Sequence, residues 1–417
     1  MSSTQAAPVA IDRARIKLER TLLVVGVVAL GYNLRGAISA LPPIFPELQD
    51  RLGLSSAVIS LLAATPVICF GVVSGFAALL ARRIGEERAL LVAIITLTAG
   101  LLARAFAPST LLFPGTIAAC GAIAIMNVLL SSLIKRRWPE RAGLLIGLYI
   151  TALSLGAIAG SVASVPLWQH TGGSIAITLG WIAAPAALAA LLWLPQLSPG
   201  SPGRTTPRDR TDSVTKEAVR QHPKRVPVYR YALAWHVTLF MGMQSLLYYA
   251  ALSWLPSILR DRGLSANDAG DLVAVMGVGN LAVSLVVPVI AQRMRGQRAL
   301  IMATVAAMSA GLAGLVYAPL GGAVAWALIL GAGQNAALAL AIFFTAARSP
   351  NAAIAASLSS FAQSVGYLLS AAGPLEVGLL HSVTGGWTVP LVALFVLTGV
   401  QLIFGLLAAR PRMLPDQ

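Results

Sequence analysis

A single arginine stands inside the first long apolar run of the chain, and its side chain is suited to anion binding. Arg35 lies about 15 residues into a run that begins at Thr21. A guanidinium group presents a planar fork of N–H donors that can hold a planar anion through two parallel hydrogen bonds. A charge inside such a run costs at least about 2.5 kcal/mol in an apolar medium, so Arg35 should face a cavity or a partner. The alternative is a structural arginine tied to helix-end carbonyls.

Twelve further polar or aromatic side chains interrupt other apolar runs and are candidates to share a substrate-binding cavity with Arg35. Gln244 and Tyr248 are four residues apart, as are Gln363 and Tyr367, so each pair shares one face of a helix. Contact between helices, or a place at the membrane interface, is the alternative for each of them. The candidates are Tyr32, Asn33, Asn127, Tyr149, Gln244, Tyr248, Tyr249, Trp254, Gln334, Asn335, Gln363 and Tyr367.

Patterns typical of catalytic and metal sites are missing from the sequence. There is no His-Glu-x-x-His, no Gly-x-Ser-x-Gly and no phosphate-binding Gly-Lys-Ser/Thr loop. Cys69 and Cys120 both stand in apolar runs, which is typical of small core residues. The four histidines are scattered along the chain. We therefore expect no catalytic residues, no metal, no cofactor and no enzymatic activity.

The composition indicates a membrane protein. Of the 417 residues, 57% are hydrophobic and only 11% are charged, whereas soluble domains carry about 25% charged residues. Such a chain has too few charges to cover a soluble surface, so lipid must cover it. We expect the bilayer and a small-molecule substrate as partners, with no nucleic acid, and we expect a monomer.

Twelve apolar runs are long enough to cross a bilayer as helices, which predicts an all-α fold. A proline-rich, charged segment at 196–230 separates the sixth run from the seventh and is typical of a solvated linker. This organisation predicts a tail at 1–20, a six-helix bundle at 21–195, the linker, a second bundle at 231–409 and a tail at 410–417. The runs are 21–45, 56–80, 88–106, 110–134, 141–164, 173–195, 231–259, 268–291, 298–318, 321–346, 352–375 and 387–409.

The basic residues divide unequally between the two sides of the predicted bundle. The two tails, the linker and the alternate loops hold 25 Lys and Arg residues, whereas the other segments hold four, Arg51, Arg104, Arg260 and Arg262. Basic residues accumulate on the cytoplasmic side of membrane proteins. We therefore expect a multi-pass inner-membrane protein with both termini in the cytoplasm, and we interpret the net charge of +15 as an orientation signal.

The two halves carry an internal repeat. Three short motifs recur at an offset of 210 residues, among them Ser154-Leu155-Gly156 and Ser364-Val365-Gly366. Parallel six-helix repeats of this kind hold a substrate near the bilayer midplane, between the halves.

Several stretches together make the sequence similar to the major facilitator superfamily and, within it, to the cyanate permease and nitroimidazole transporter family. The resemblance covers nearly the whole chain. The stretches that carry it are Asn33-Leu34-Arg35-Gly36-Ala37-Ile38, Asn127-Val128-Leu129-Leu130, Ile134-Lys135-Arg136-Arg137-Trp138-Pro139, Gly147-Leu148-Tyr149, Gln244-Ser245-Leu246-Leu247-Tyr248-Tyr249, Trp254-Leu255-Pro256, Gly333-Gln334, Ala362-Gln363-Ser364-Val365-Gly366-Tyr367-Leu368-Leu369 and Gly373-Pro374.

The resemblance implies the major facilitator fold and secondary active transport of a small anionic, cyanate-like or nitro-bearing solute by alternating access. Two alternatives remain open. One is a multidrug-type exporter in which Arg35 is mainly structural, and the other is a membrane sensor that binds a ligand without moving it.

Two groups of charged residues are candidates for gating and coupling. The superfamily's charged loop after the second helix corresponds to residues 81–88, where the usual Asp is missing, and Arg82, Arg83, Glu86 and Arg88 are the gating candidates. The apolar runs hold no Asp or Glu near their middle. If protons are a partner in transport, Glu376 is the first candidate for the coupling site and Glu47 the second.

Overall fold

A computed structural model describes residues 6–137, 142–197 and 227–415, and every regular element in these residues is helical. Most of the predicted linker, residues 198–226, lies outside the described residues. We number the α-helices α1 Ala6–Ser39, α2 Phe45–Leu52, α3 Ser56–Ile84, α4 Glu86–Phe106, α5 Pro108–Arg137, α6 Ala142–His170, α7 Ile175–Gly180, α8 Ala183–Trp193, α9 Ala232–Asp261, α10 Ala266–Arg293, α11 Arg298–Tyr317, α12 Ala323–Ala347, α13 Ala352–Ser370, α14 Ala372–Thr384 and α15 Thr388–Ala408.

All twelve predicted spans correspond to helices, although three of them are divided. The first continues from α1 through a 3-10 turn, Pro42–Ile44, into α2. The sixth is divided into α7 and α8, and the eleventh into α13 and α14. Pro185 and Pro374 lie four residues after Trp181 and Ser370, at these two breaks, and a proline cannot donate the i to i−4 hydrogen bond that would carry the helix through.

Nine stretches in the described part of the chain are long and apolar enough to cross a membrane by length and composition. The three remaining predicted spans are α9, α10 and the α13–α14 pair. Helix α9 is buried along most of its length, including the polar side chains of Gln244 and Ser245. Its polarity is therefore directed into the protein and not toward lipid, which explains why composition marks this span less clearly.

The two halves repeat the same packing. Helices α1 and α6 pack together as α9 and α13 do, and the α4–α5 contact recurs as α11–α12. Gly156 of α6 lies against the backbone of Tyr32, and Gly366 of α13 lies against Gly242. Both residues of the second contact are offset by 210 from those of the first. The structure therefore shows equivalent close contacts at the offset found in the sequence repeat.

The largest contacts between the halves are made by two helices of the first half, α3 and α6. Helix α3 packs on α13 and α14, and α6 packs on α10. We call the end of the bundle where α1 begins and α8 ends the linker end, and the opposite end the far end.

At the far end, an ion pair, a hydrogen bond and an aromatic contact connect the two halves. Glu47 forms an ion pair with Arg260 at 2.9 Å. Asn267 Nδ2 donates to Gln169 Oε1 at 3.0 Å. The Phe45 ring lies 6.2 Å from that of Trp254. In this conformation the far end is therefore closed.

One charge does not lie where the sequence predicts it. Arg104 was counted with the outer segments, although the third predicted run, 88–106, contains it, and it lies inside α4 with only 1% of its surface exposed. Its Nη2 donates to the carbonyl oxygen of Ala37 at 3.3 Å, two residues before α1 ends. The partial negative charge of a helix C-terminus compensates a buried cation there. The correction leaves three basic residues in the predicted outer segments and adds a second arginine inside the bundle.

We expect Gly156→Ala to lower the unfolding temperature of the purified protein. A Cβ atom at Gly156 would lie 1.8 Å from the carbonyl oxygen of Tyr32, so α1 and α6 would have to separate. Gly399→Ala in α15 is the matched control, because nothing lies within 4 Å of its Cβ position and alanine favours a helix interior by about 0.5–1 kcal/mol. The midpoint of thermal unfolding in detergent is measured for both variants. Equal midpoints would contradict the close packing of α1 against α6 at Gly156.

Candidate functional site

Arg35 lies four residues before the end of α1 and joins the two halves. Its Nη1 donates to the hydroxyl oxygen of Tyr248 on α9. The guanidinium carbon is also 4.7 Å from the centroid of the Tyr248 ring, a cation–π distance. Arg35 itself is half-buried. Its charge therefore borders open space between the halves.

A cavity of about 370 Å³, the first cavity, contains this contact in its wall. Arg35 is the one charged residue among its lining residues in the described part of the chain. Six of the twelve predicted substrate-binding residues besides Arg35 also line it, as the spacing of Gln244 and Tyr248 on one helix face allows. The lining residues are Arg35, Gln244, Ser245, Tyr248, Tyr249, Gln334, Asn335, Leu338 and Tyr367.

Buried amides form the polar side of the first cavity. Gln244 Nε2 lies 3.4 Å from the backbone carbonyl oxygen of Gln334, and Ser245 Oγ donates to Gln244 Oε1 at 3.1 Å. The side-chain oxygen of Gln334 is buried and has no hydrogen-bond partner among the described residues. A buried amide without a partner costs about 1–3 kcal/mol. The oxygen is therefore suited to accept a hydrogen bond from an N–H or O–H group of a solute.

Aromatic rings also line the first cavity. The rings of Tyr248 and Tyr249 are 5.2 Å apart, edge to face. Phe70 of α3 contacts Tyr249 at 6.4 Å and Tyr367 at 5.9 Å between ring centroids. Phe70 belongs to the first half and thus supports two tyrosines of the second half that line the cavity. Sequence reasoning missed it, because a phenylalanine in an apolar run carries no signal of its own.

A second cavity, of about 350 Å³, lies on the other side of the Arg35–Tyr248 contact. Both of these residues line it too. Its other polar residues are the serines Ser39, Ser154 and Ser161, none of which the sequence singled out. The remaining lining residues are Leu153, Ala157, Ile158, Leu252, Val273, Met276 and Gly277.

Four of the predicted residues of the first half make contacts within that half. Asn33 is buried and donates to the carbonyl oxygens of Ala29 and Pro185, at 2.8 and 3.1 Å. Tyr149 donates to Asn127 Oδ1 at 2.7 Å. The backbone of Tyr32 packs on Gly156. The structure therefore places these four residues outside the lining of both cavities.

Two predicted residues of the second half lie away from the cavities as well. Trp254 Nε1 donates to the carbonyl oxygen of Pro374 at 2.9 Å, and its ring takes part in the closed far end. Gln363 is exposed and donates to Ser359 Oγ at 2.9 Å. The sequence spacing paired Gln363 with Tyr367, but in the structure only Tyr367 faces the first cavity.

The coupling candidates lie at the far end and the gating candidates at the linker end. Glu47 is in the ion pair with Arg260, and Glu376 is half-buried in α14. At the linker end, Glu86 accepts a hydrogen bond from Ser132 Oγ at 3.4 Å. Arg83 and Arg88 are exposed, and the side chain of Arg82 lies outside the described part of the chain. Among the residues that the structure describes, no group of three His, Cys, Asp or Glu side chains could hold a metal ion.

Comparison with known proteins decides the family. The family model described as Major Facilitator Superfamily matches residues 22–374 of the chain. The chain belongs to the major facilitator superfamily.

Relatives of this major facilitator protein include named transporters. It is 36% identical over 401 residues to the uncharacterized transporter YycB of Bacillus subtilis (strain 168), covering 95% of each chain. It is 36% identical to the 2-nitroimidazole transporter of Escherichia coli (strain K12), covering 94% of this chain and 96% of the relative. It is 28% identical to the cyanate transport protein CynX of the same organism, covering 87% and 90%.

A solved structure supports the fold. The bacterial homologue of the human lysosomal transporter Spinster, in an inward-facing and unoccupied conformation, superposes with a TM-score of 0.73 at 16% identity, covering 95% of this chain and 99% of that one. The family and fold predicted from the sequence are confirmed, and the protein is an integral membrane transporter of this superfamily.

We expect Arg260→Gln to open the far end of this major facilitator protein. Loss of the ion pair with Glu47 removes a contact between the halves. Arg262→Gln is the matched control, because Arg262 donates to the carbonyl oxygens of Leu315 and Ala318 within its own half. A Ser245→Cys substitution in the first cavity reports access through labelling with a membrane-impermeant maleimide added at the far end. Labelling should rise with Arg260→Gln and not with Arg262→Gln. Equal labelling of the two variants would contradict the conclusion that the Glu47–Arg260 ion pair holds the far end closed.

Proposed function

We propose that the protein is a secondary active transporter that moves a small anionic or nitro-bearing solute across the inner membrane by alternating access. The observation that carries the proposal is the position of Arg35. Its guanidinium group borders a cavity between the two halves and contacts Tyr248 of the opposite half. A solute bound there would touch both halves, so its binding can depend on how the halves are arranged.

The lining of the first cavity favours an anion or a nitro group. A guanidinium carries five N–H donors in a fixed plane, and the hydrogen bond to Tyr248 uses one of them. No carboxylate lines the cavity in the described part of the chain. The tyrosine rings and the amides of Gln244 and Gln334 can surround a flat, polar solute. Two relatives named for 2-nitroimidazole and cyanate are consistent with this chemistry.

We assign the linker end to the cytoplasm. The predicted tails, linker and loops at that end hold 25 basic residues, and such an excess is typical of the cytoplasmic side. With the far end closed, the structure is then closed on the side opposite the cytoplasm.

Counterflow in proteoliposomes tests the proposed function. Vesicles loaded with cyanate or 2-nitroimidazole should accumulate the radiolabelled solute through the protein. Loss of a charge-assisted hydrogen bond costs about 1.5–3 kcal/mol, which corresponds to a roughly 10- to 150-fold loss of affinity. Arg35→Ala and Arg35→Lys should therefore fold and lose most of the counterflow at low solute concentration, because lysine cannot reproduce the planar fork. Arg410→Ala, an exposed arginine, is the control.

Three outcomes would contradict parts of the proposal. Counterflow by Arg35→Ala at the wild-type level would make Arg35 structural, as in a multidrug-type exporter. Binding of the solute by the wild-type protein without flux would indicate a membrane sensor. Absence of both binding and flux with cyanate and with 2-nitroimidazole would contradict the proposed solute class.

If transport is coupled to protons, we propose Glu376 as the coupling site, since Glu47 forms the far-end ion pair with Arg260; otherwise the protein is a uniporter or an exchanger. We expect Glu376→Gln to reduce uptake driven by a pH gradient while counterflow continues, because counterflow needs no net proton movement. Glu47→Gln is the comparison variant. Unchanged pH-driven uptake in both variants would exclude coupling through either carboxylate.

A further inference from the structure

The two cavities lie in series along the axis of the bundle. Helices α1 and α9 line both of them, and on each helix the second cavity takes residues nearer the far end. On α1, Arg35 lines both cavities, and Ser39, nearer the far end, lines only the second. On α9, Ser245 lines the first cavity and Leu252 the second. The second cavity therefore lies between the Arg35–Tyr248 contact and the closed far end.

A hydroxyl group in the second cavity is available to a ligand. Ser39 is 1% exposed, and its Oγ has no hydrogen-bond partner among the described residues. A buried hydroxyl in this state costs about 1–3 kcal/mol, a cost that a bound acceptor would remove. A serine hydroxyl can rotate to donate its hydrogen to such a group.

Helix α6 contributes two more hydroxyls to the second cavity. Ser154 and Ser161 are seven residues apart, so they lie on one helix face two turns from each other. Their hydroxyls lie 3.0 Å from the Ile150 carbonyl oxygen and 3.5 Å from that of Ser39, respectively. Apolar side chains make up the rest of the lining, and none of the described lining residues is a carboxylate.

We propose that the second cavity is a second binding position for the same small anion on its way through the protein. The inference rests on the proposed function and adds a step to it. The anion leaves the first cavity, stays in contact with the guanidinium of Arg35, which borders both cavities, and is held by the hydroxyl of Ser39 until the far end opens. Because the two positions share one cation, one anion occupies either position in turn.

The shared arginine explains how an anion could pass the Arg35–Tyr248 contact. The planar fork has donors on two edges, so an anion can change sides without losing the charge that holds it. Tyr248 borders both cavities as well, and movement of its ring opens the way between them.

A pair of serine variants tests this second position. Ser39→Val removes the hydroxyl of the second cavity and fills space there, and Ser245→Val does the same in the first cavity. Both serines are buried, at 1% and 3% exposure, which makes the pair matched. The measurements are equilibrium binding of radiolabelled cyanate to purified protein and the counterflow rate in proteoliposomes. Ser39→Ala, which removes the hydroxyl without adding volume, covers the case in which valine prevents folding.

We expect Ser39→Val and Ser39→Ala to bind cyanate within about threefold of the wild type while counterflow slows, by about 2- to 13-fold for the alanine variant if one net hydrogen bond is lost. Ser245→Val should instead lose affinity. Wild-type counterflow rates in both Ser39 variants would overturn the proposal. Loss of affinity in the Ser39 variants equal to that in Ser245→Val would overturn it too, because the two cavities would then form one site.

Bromide provides a readout that does not depend on transport. In crystals of the wild-type protein grown with sodium bromide, anomalous density should appear on both sides of Arg35, and Ser39→Val should retain only the density in the first cavity. Density in the first cavity alone in the wild type would overturn the second position and leave the proposed function standing. Density in the second cavity that persists in Ser39→Val would identify an adventitious ion only.

Discussion

A guanidinium charge inside an apolar helix bundle must be compensated, and Arg104 and Arg35, which both lie inside the bundle, meet that requirement in different ways. Arg104 is 1% exposed and donates to a carbonyl near the end of α1. Its surroundings are packed, so the charge holds one helix against another. Arg35 is half-buried, contacts a tyrosine of the other half and borders two cavities. In the proposed function a solute adds to this compensation, which is why we assign the binding site to Arg35 and not to Arg104.

The position of Arg35 between the halves connects binding to motion. The close glycine contacts at Gly156 and Gly366 keep each half rigid within itself. The Glu47–Arg260 ion pair between the halves is partly exposed, and ion pairs of this kind are weak enough to break and re-form. A ligand can shift such an equilibrium only by the difference in its affinity for the two arrangements. In the proposed function, a solute that bridges Arg35 and the residues of α9 would supply that difference, because the bridge would change if the halves rotated.

The resemblance of several motifs predicted the family. Hydropathy and the repeat predicted the long helices of the two halves, because lipid imposes a strong and simple constraint on helix length. The same constraint explains the errors. A membrane helix is apolar on every face, so the side on which Asn33 or Gln363 points cannot be read from periodicity. Arg104 was misplaced because a basic residue near the end of an apolar run resembles a loop residue. Phe70 and Ser39 gave no signal, since their roles arise from helices brought together only by the tertiary fold. The binding roles of the cavity residues stay predictions.

The most direct test of the central role of Arg35 is the structure of the purified protein with bound 2-nitroimidazole or cyanate. The account predicts ligand density between the two halves, with a nitro oxygen or an anion atom within roughly 3.2 Å of a guanidinium nitrogen of Arg35. It also predicts that the ligand, in place of the Tyr248 hydroxyl, accepts the hydrogen bond that Arg35 Nη1 donates. Ligand density elsewhere in the protein, or in the first cavity with Arg35 still bonded only to Tyr248, would contradict it.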